Sequence, residues 1–138
     1  FNSVNFAYLA TDATSLIQIF NVGAEHMLGY TAAEVVGKMF PGEMADPQEL
    51  IDRAKYLSEE FGTPIAPGFE ALVYKASRGI EDVYELTYVR HDGSRFPAVL
   101  SVTALRDEAG ALIGYLLIGT DNTQKKGLKS NERWWLNA

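Results

Sequence analysis

Two histidines, eighteen carboxylates and no cysteine are the side chains best able to do chemistry in this 138-residue chain. Without cysteine there is no disulfide, no thiolate metal ligand and no thiol nucleophile. Neither His26 nor His91 has a metal-like partner three or four residues away. The serines lack a nucleophile-elbow context, and there is no Gly-rich phosphate loop. Glu59-Glu60 and Asp107-Glu108 fall at a helix end and in a turn, where solvated surface is the expected role and not acid–base work. No enzyme activity is therefore expected. What these residue types can do is bind. Tyr88 would be the polar handle in a stripe of otherwise apolar residues, and Asp121 and Thr123 would make hydrogen bonds at the end of the last strand.

Those residues must be held by a sheet. Tyr84–Val89, Phe96–Leu105 and Leu112–Thr120 are apolar, strand-like runs separated by short turns, which predicts an antiparallel meander. Asp92-Gly93 supplies the positive φ that a two-residue hairpin needs, and Gly110 closes the second turn. Alternation puts Leu86 and Tyr88 on one face, with Ala98, Leu100 and Val102 and then Tyr115, Leu117 and Gly119. Pro97, Val99, Ser101, Leu116 and Ile118 would form an apolar patch on the other face, to be covered by a terminal helix or a second copy.

Upstream, Phe6–Thr11 and Leu16–Phe20 read as strands, joined by the turn residues Asp12–Ser15. Asn21 precedes a short helix over Gly23–Leu28, which Gly29 closes. His26 on this helix is read as partly buried and hydrogen-bonded, and His91 as an exposed turn residue. Thr31 and Glu34 form a capping box for a second helix ending at Gly37. Asp46-Pro47-Gln48-Glu49 starts a helix reaching Phe61, with Leu50, Ile51, Ala54, Leu57 and Phe61 expected on its buried face. Phe69–Arg78 is the next helix, burying Phe69, Leu72, Val73 and Ala76. Phe69, Leu72 and Val73 would close a cavity against the sheet. Small Ala98 and Gly119 opposite large aromatics would leave a void there; alternatively Tyr88 fills that space as ordinary core.

The chain is 47% hydrophobic and 22% charged, enough to bury one domain's core. Its net charge of −6 speaks against a nucleic-acid surface. No apolar run approaches the roughly 20 residues of a membrane span, and no signal peptide is seen. The lack of cysteine fits a reducing compartment, so a cytoplasmic location is expected, with membrane anchoring of the parent left open. The sequence starts at Phe1 without Met and is expected to be a piece of a longer protein.

The string Tyr88–Thr123, with Asp92-Gly93-Ser94 and Asp121-Asn122-Thr123 in order, resembles the C-terminal half of a PAS domain. Tyr8–Lys38, carrying Asn21, Gly23-Ala24-Glu25 and Leu28-Gly29-Tyr30-Thr31, resembles the opening half. The resemblance covers residues 7–123 and implies an α+β fold: a five-stranded antiparallel sheet with helices packed on one face. It implies a sensory domain over 1–123 and a helical linker over 124–138 leading to an output domain of the same polypeptide. The implied function is an input module for signal transduction, in bacterial settings such as two-component kinases, diguanylate cyclases or chemoreceptors. A small molecule would bind in an apolar cavity, and Asp121 and Thr123 would relay the change to the linker. A ligand-free dimerisation or interaction module is the alternative, and a homodimer is expected, with Trp134 and Trp135 at its seam or on the apolar patch. Cofactors follow the same logic. Cysteine-linked flavin is excluded. The polar flavin contacts of light-oxygen-voltage members fall at Tyr88, Ala98 and Gly119, two of which have no polar side chain. The helix that often carries a haem-ligating His has none. Non-covalent flavin or another small molecule stays open.

Overall fold

The computed structural model of the chain describes residues 5–123. Five strands form one antiparallel sheet: β1 (Ala7–Asp12), β2 (Ile17–Phe20), β3 (Asp82–Val89), β4 (Arg95–Arg106) and β5 (Leu112–Asp121), in the order β2-β1-β5-β4-β3. Four helices lie between β2 and β3 in sequence: α1 (Val22–Leu28), α2 (Ala32–Val35), α3 (Pro47–Phe61) and α4 (Phe69–Ser77). A single 3₁₀ turn over Pro41–Met44, not foreseen from sequence, leads into α3.

Local chemistry explains the elements. The Asn21 side chain accepts the Ala24 N–H, and Gly29 closes α1 in the left-handed region at φ 79°. Thr31 and Glu34 make the reciprocal capping box of α2. That helix stops at Val35, two residues before Gly37. Asp46 caps α3 through the N–H groups of Gln48 and Glu49, with Pro47 at the first helical position.

The first turn of the meander differs from the two-residue expectation. Arg90 N–H donates to Ser94 O, and Gly93 N–H to Arg90 O, so three residues intervene and Gly93 takes φ 88°. Asp107, Ala111 and Gly110 repeat the arrangement, with Gly110 at φ 87°. These are three-residue loops closed by a left-handed glycine. The Asp92 carboxylate serves this turn by accepting the Ser94 N–H and hydroxyl, which holds it below the usual carboxylate range.

The core lies between the sheet and the helices. Leu9, Ile17, Leu28, Leu72, Leu100 and Leu117 are all but fully buried there. α1 packs on β1, α4 on β4, and α3 on α4. A second small cluster, Ala54, Leu57, Ile65, Ala71 and Tyr74, joins α3 to α4. Ile51 is not part of it: it is 48% exposed, against the expectation of a buried position. α3 lies along α4 and the edge of β3, and its buried stripe is the narrow i, i+4, i+7 row Leu50, Ala54, Leu57.

The edge of β3 is covered. Ala45 bridges to Tyr88, and Asp46 N–H donates to Thr87 O. Glu49 accepts the Thr87 N–H at 2.7 Å and its hydroxyl at 2.6 Å. It thereby spends its helix-start position on the neighbouring strand. Further along, the Arg53 guanidinium grips the buried Asp82 carboxylate at 2.9 and 3.1 Å, donates to Ala71 O and stacks on the Tyr84 ring. Burial pushes Asp82 up, and Arg53 opposes the rise. A long open sheet edge invites pairing with other chains, and α3 blunts this one.

Candidate functional site

The sequence-derived candidates converge. Leu72, Val73, Leu86, Tyr88, Ala98, Leu100, Tyr115 and Leu117 are buried in one cluster, with Phe69 half-buried against it. Gly119 is buried on β5 beside them. Strand pairing supplies the geometry: Leu86 faces Ala98 across β3 and β4, and Leu100 faces Gly119 across β4 and β5. At one end Phe69 meets Tyr115 edge-on, with centroids 5.4 Å apart; at the other Tyr88 meets Phe96 at 5.8 Å.

Tyr88 is the centre of interest. Its side chain lies over Gly119, where an added Cβ would sit 3.0 Å from Cε2 and 3.4 Å from the hydroxyl oxygen. Glycine is therefore what lets the phenol lie flat against β5. Tyr88 is 3% exposed, and its hydroxyl has no hydrogen-bond partner among the described residues. Tyr84, four residues earlier, donates its hydroxyl to Leu72 O at 2.8 Å. Burial pushes both phenols well above their ordinary value. An orphaned buried hydroxyl is an uncommon feature in a folded core.

At the exit of β5 the Asp121 carboxylate accepts the Thr123 N–H at 2.9 Å and the Thr123 hydroxyl at 2.5 Å. Sequence reasoning assigned no role to Asn122 between them. It is buried, donates its N–H to Pro97 O at 2.8 Å, and donates its side-chain amide to Glu85 at 2.9 Å. One residue thus ties the end of β5 to β4 and β3. A polar residue between two hydrogen-bonding neighbours was the available signal, but only the fold shows where its side chain goes. The linker over 124–138, with Trp134 and Trp135, lies outside the described residues.

The histidines hold no metal-like geometry, and among the described residues no group of three or more His, Cys, Asp or Glu is placed to hold a metal ion. His26 is exposed, not partly buried as expected. His91 is exposed, yet its N–H donates to Leu28 O and its ring stacks on Tyr30 at 4.6 Å. With Arg90 donating to Met27 O, the β3–β4 turn satisfies the last carbonyls of α1.

The sequence matches the family model described as "PAS domain" over residues 5–124. This chain belongs to the PAS domain family. Solved structures agree on the fold. The PAS domain of a protein from Colwellia psychrerythraea superposes with a TM-score of 0.70 at 18% identity, over 90% of this chain and 92% of that one. The light state of the blue-light photoreceptor Aureochrome1 LOV gives 0.63 at 19%, over 92% and 90%. A PAS domain from a two-component sensor histidine kinase gives 0.59 at 15%, over 87% and 86%. At such identities the likeness establishes the fold. No curated protein matches the sequence. PAS domains are sensory domains of signalling proteins; they are generally not catalytic, commonly dimerise and sit in multidomain chains. In this PAS domain Tyr88, Ala98 and Gly119 together offer a single polar group, the Tyr88 hydroxyl, and the phenol covers Gly119. That donor set does not fit a flavin held by polar side chains of the meander. Among the described residues no helix is long and apolar enough to cross a membrane.

Proposed function

We propose that this PAS domain is a cytoplasmic input module of a multidomain signalling protein, and that it takes a small, mostly apolar molecule between α4 and the sheet. The observation that carries the reading is the buried hydroxyl of Tyr88, which has no hydrogen-bond partner among the described residues. A hydrogen-bond acceptor on the ligand would satisfy it, while Phe69, Leu72, Val73, Leu86, Ala98, Leu100, Tyr115 and Leu117 supply apolar contact. Binding would move α4 against β4, and β5 with it. Asp121, Asn122 and Thr123 would pass the shift to a C-terminal output domain as a change in population between two states. Homodimerisation through the outer sheet face belongs to the same proposal: Val99, Leu116 and Ile118 are half-buried there, and Ile19 is 59% exposed. No nucleic-acid partner is proposed for a chain of net charge −6.

One observation favours a second reading. The Tyr88 ring already fills the space over Gly119, as a ligand-free interaction module would have it.

Denaturing mass spectrometry of protein purified without additives, with its absorbance spectrum, separates the two. A stoichiometric small molecule, or a compound that raises the melting temperature of wild type but not of Tyr88→Phe, supports the sensor. A colourless protein that releases nothing and melts unchanged across a broad screen supports the interaction module.

A further inference from the structure

Two grooves flank the point where the described chain ends, and they differ in charge. One, of about 390 Å³, is lined by His26, Met27, Arg90 and Asp121 among others. The other, of about 330 Å³, runs between α3 and β3 and carries three carboxylates, Glu49, Asp52 and Glu85. Its one lining cation, Arg53, is already held by the buried Asp82 and faces the Tyr84 ring. The groove is thus net acidic toward anything that enters it. Asn122 sits at its rim: it contacts Glu85 through its side chain and Pro97 through its N–H, and both residues line the groove.

The sequence that follows is basic. Lys125, Lys126 and Lys129 lie three, four and seven residues after Asn122, with no acidic residue before Glu132. Three to four residues reach at most about 10–14 Å in extended form, and a lysine side chain adds to that, so the ammonium groups of Lys125 and Lys126 can reach Glu85 and the groove beyond it. The other groove pairs its one arginine, Arg90, with one carboxylate, Asp121, and so offers lysines no comparable excess of negative charge. We infer that the α3/β3 groove is the docking site for this chain's own Gln124–Lys129 segment, which pairs its lysines with Glu49, Asp52 and Glu85. The device would be a latch at the exit of the domain, independent of whether the core takes a ligand. Lysine–carboxylate pairs at a surface groove are individually weak and salt-sensitive, which suits a contact that must release.

The absence of cysteine from these 138 residues makes a spin label at Ser130→Cys unique within them. Proximity broadening of the amide signals of Asp52, Tyr56 and Tyr84 at low salt is the expected result. It should be lost in about 0.5 M salt, where screening shortens to a few Å, and lost in Lys125→Glu/Lys126→Glu. Asp52→Lys should weaken it, and Asp52→Lys with Lys126→Glu should recover it. Asp52 is an exposed helix position, so these variants are expected to keep the fold. Broadening at Tyr8, Leu116 and Ile118, or at His26 and Arg90, overturns the inference, as does broadening nowhere. A mixture of isotope-labelled chain and unlabelled spin-labelled chain supplies the last check: broadening seen only between chains assigns the groove to a second copy and overturns it as well.

Discussion

Tyr88→Phe is the change that asks most of the reasoning about the core. The phenol is 3% exposed, and its oxygen has no partner among the described residues. Burying a hydroxyl without a hydrogen bond costs about 1–3 kcal/mol. Phenylalanine keeps the ring over Gly119 and the contact with Phe96 while removing that penalty. In protein unfolded, stripped of small molecules and refolded, Tyr88→Phe is expected to gain about 1 kcal/mol, a rise in Tm of roughly 3–5 °C for a domain of this size. Tyr84→Phe is the matched control. Its hydroxyl donates to Leu72 O at 2.8 Å, so the same deletion should cost about 1 kcal/mol. Urea and thermal unfolding followed by far-ultraviolet circular dichroism read both. If the hydroxyl anchors a ligand, the stabilised variant should also bind that ligand about tenfold more weakly, the equivalent of one hydrogen bond of about 1.4 kcal/mol. A Tyr88→Phe variant that loses stability as Tyr84→Phe does would refute the argument, because the hydroxyl would then have a partner inside the protein.

Gly114→Ala should cost about 3 kcal/mol or prevent folding, since a Cβ there would lie 1.9 Å from Thr11 O across the β1–β5 pairing; a melting curve within 1 °C of wild type would contradict that register. Arg53→Met should cost about 3–5 kcal/mol by stranding the buried Asp82 charge, and adding Asp82→Leu should recover most of the loss in chemical denaturation. An alkaline titration followed at 295 nm should ionise fewer than all seven tyrosines before unfolding. Tyr84 and Tyr88 have raised values in the fold, so their contribution is intact below about pH 10 and is lost as the pH climbs toward those values; smooth ionisation of all seven by the folded protein would count against their burial. Asp121→Ala, in a chain carrying its output domain, should leave the melting temperature nearly unchanged and abolish the signalling response, because Asp121 is exposed and, among the described residues, its carboxylate holds only Thr123; an undiminished output would remove the joint from the proposed relay.

Much of the fold is local and could be read from the chain. Asn21, Thr31 and Asp46 cap the helices where their types demand. Alternation along β3, β4 and β5 separates Leu86, Leu100 and Leu117 from Val99, Leu116 and Ile118, because a pleated strand has a period of two whatever it packs on. The length of the first hairpin loop was not legible: an Asp-Gly pair serves a two-residue turn or, as here, a longer loop ending in a left-handed glycine, and strand twist and register choose between them. Nor was Ile51. Its period fits a buried face, but how wide a helix's buried face is depends on what the helix lies against.

The sequence by itself determined the meander, the caps, the absence of thiol chemistry and most of the apolar residues that share the core between α4 and the sheet. Each follows from one residue's own stereochemistry or from spacing along one element. Only the tertiary structure decided that, among the described residues, the Tyr88 hydroxyl lacks a hydrogen-bond partner while that of Tyr84 has one, that Glu49 leaves its helix to hold Thr87, and that Asn122 joins three strands. Those contacts join residues 12 to 38 positions apart in sequence or depend on the space between elements, and they are fixed only when packing brings the elements together.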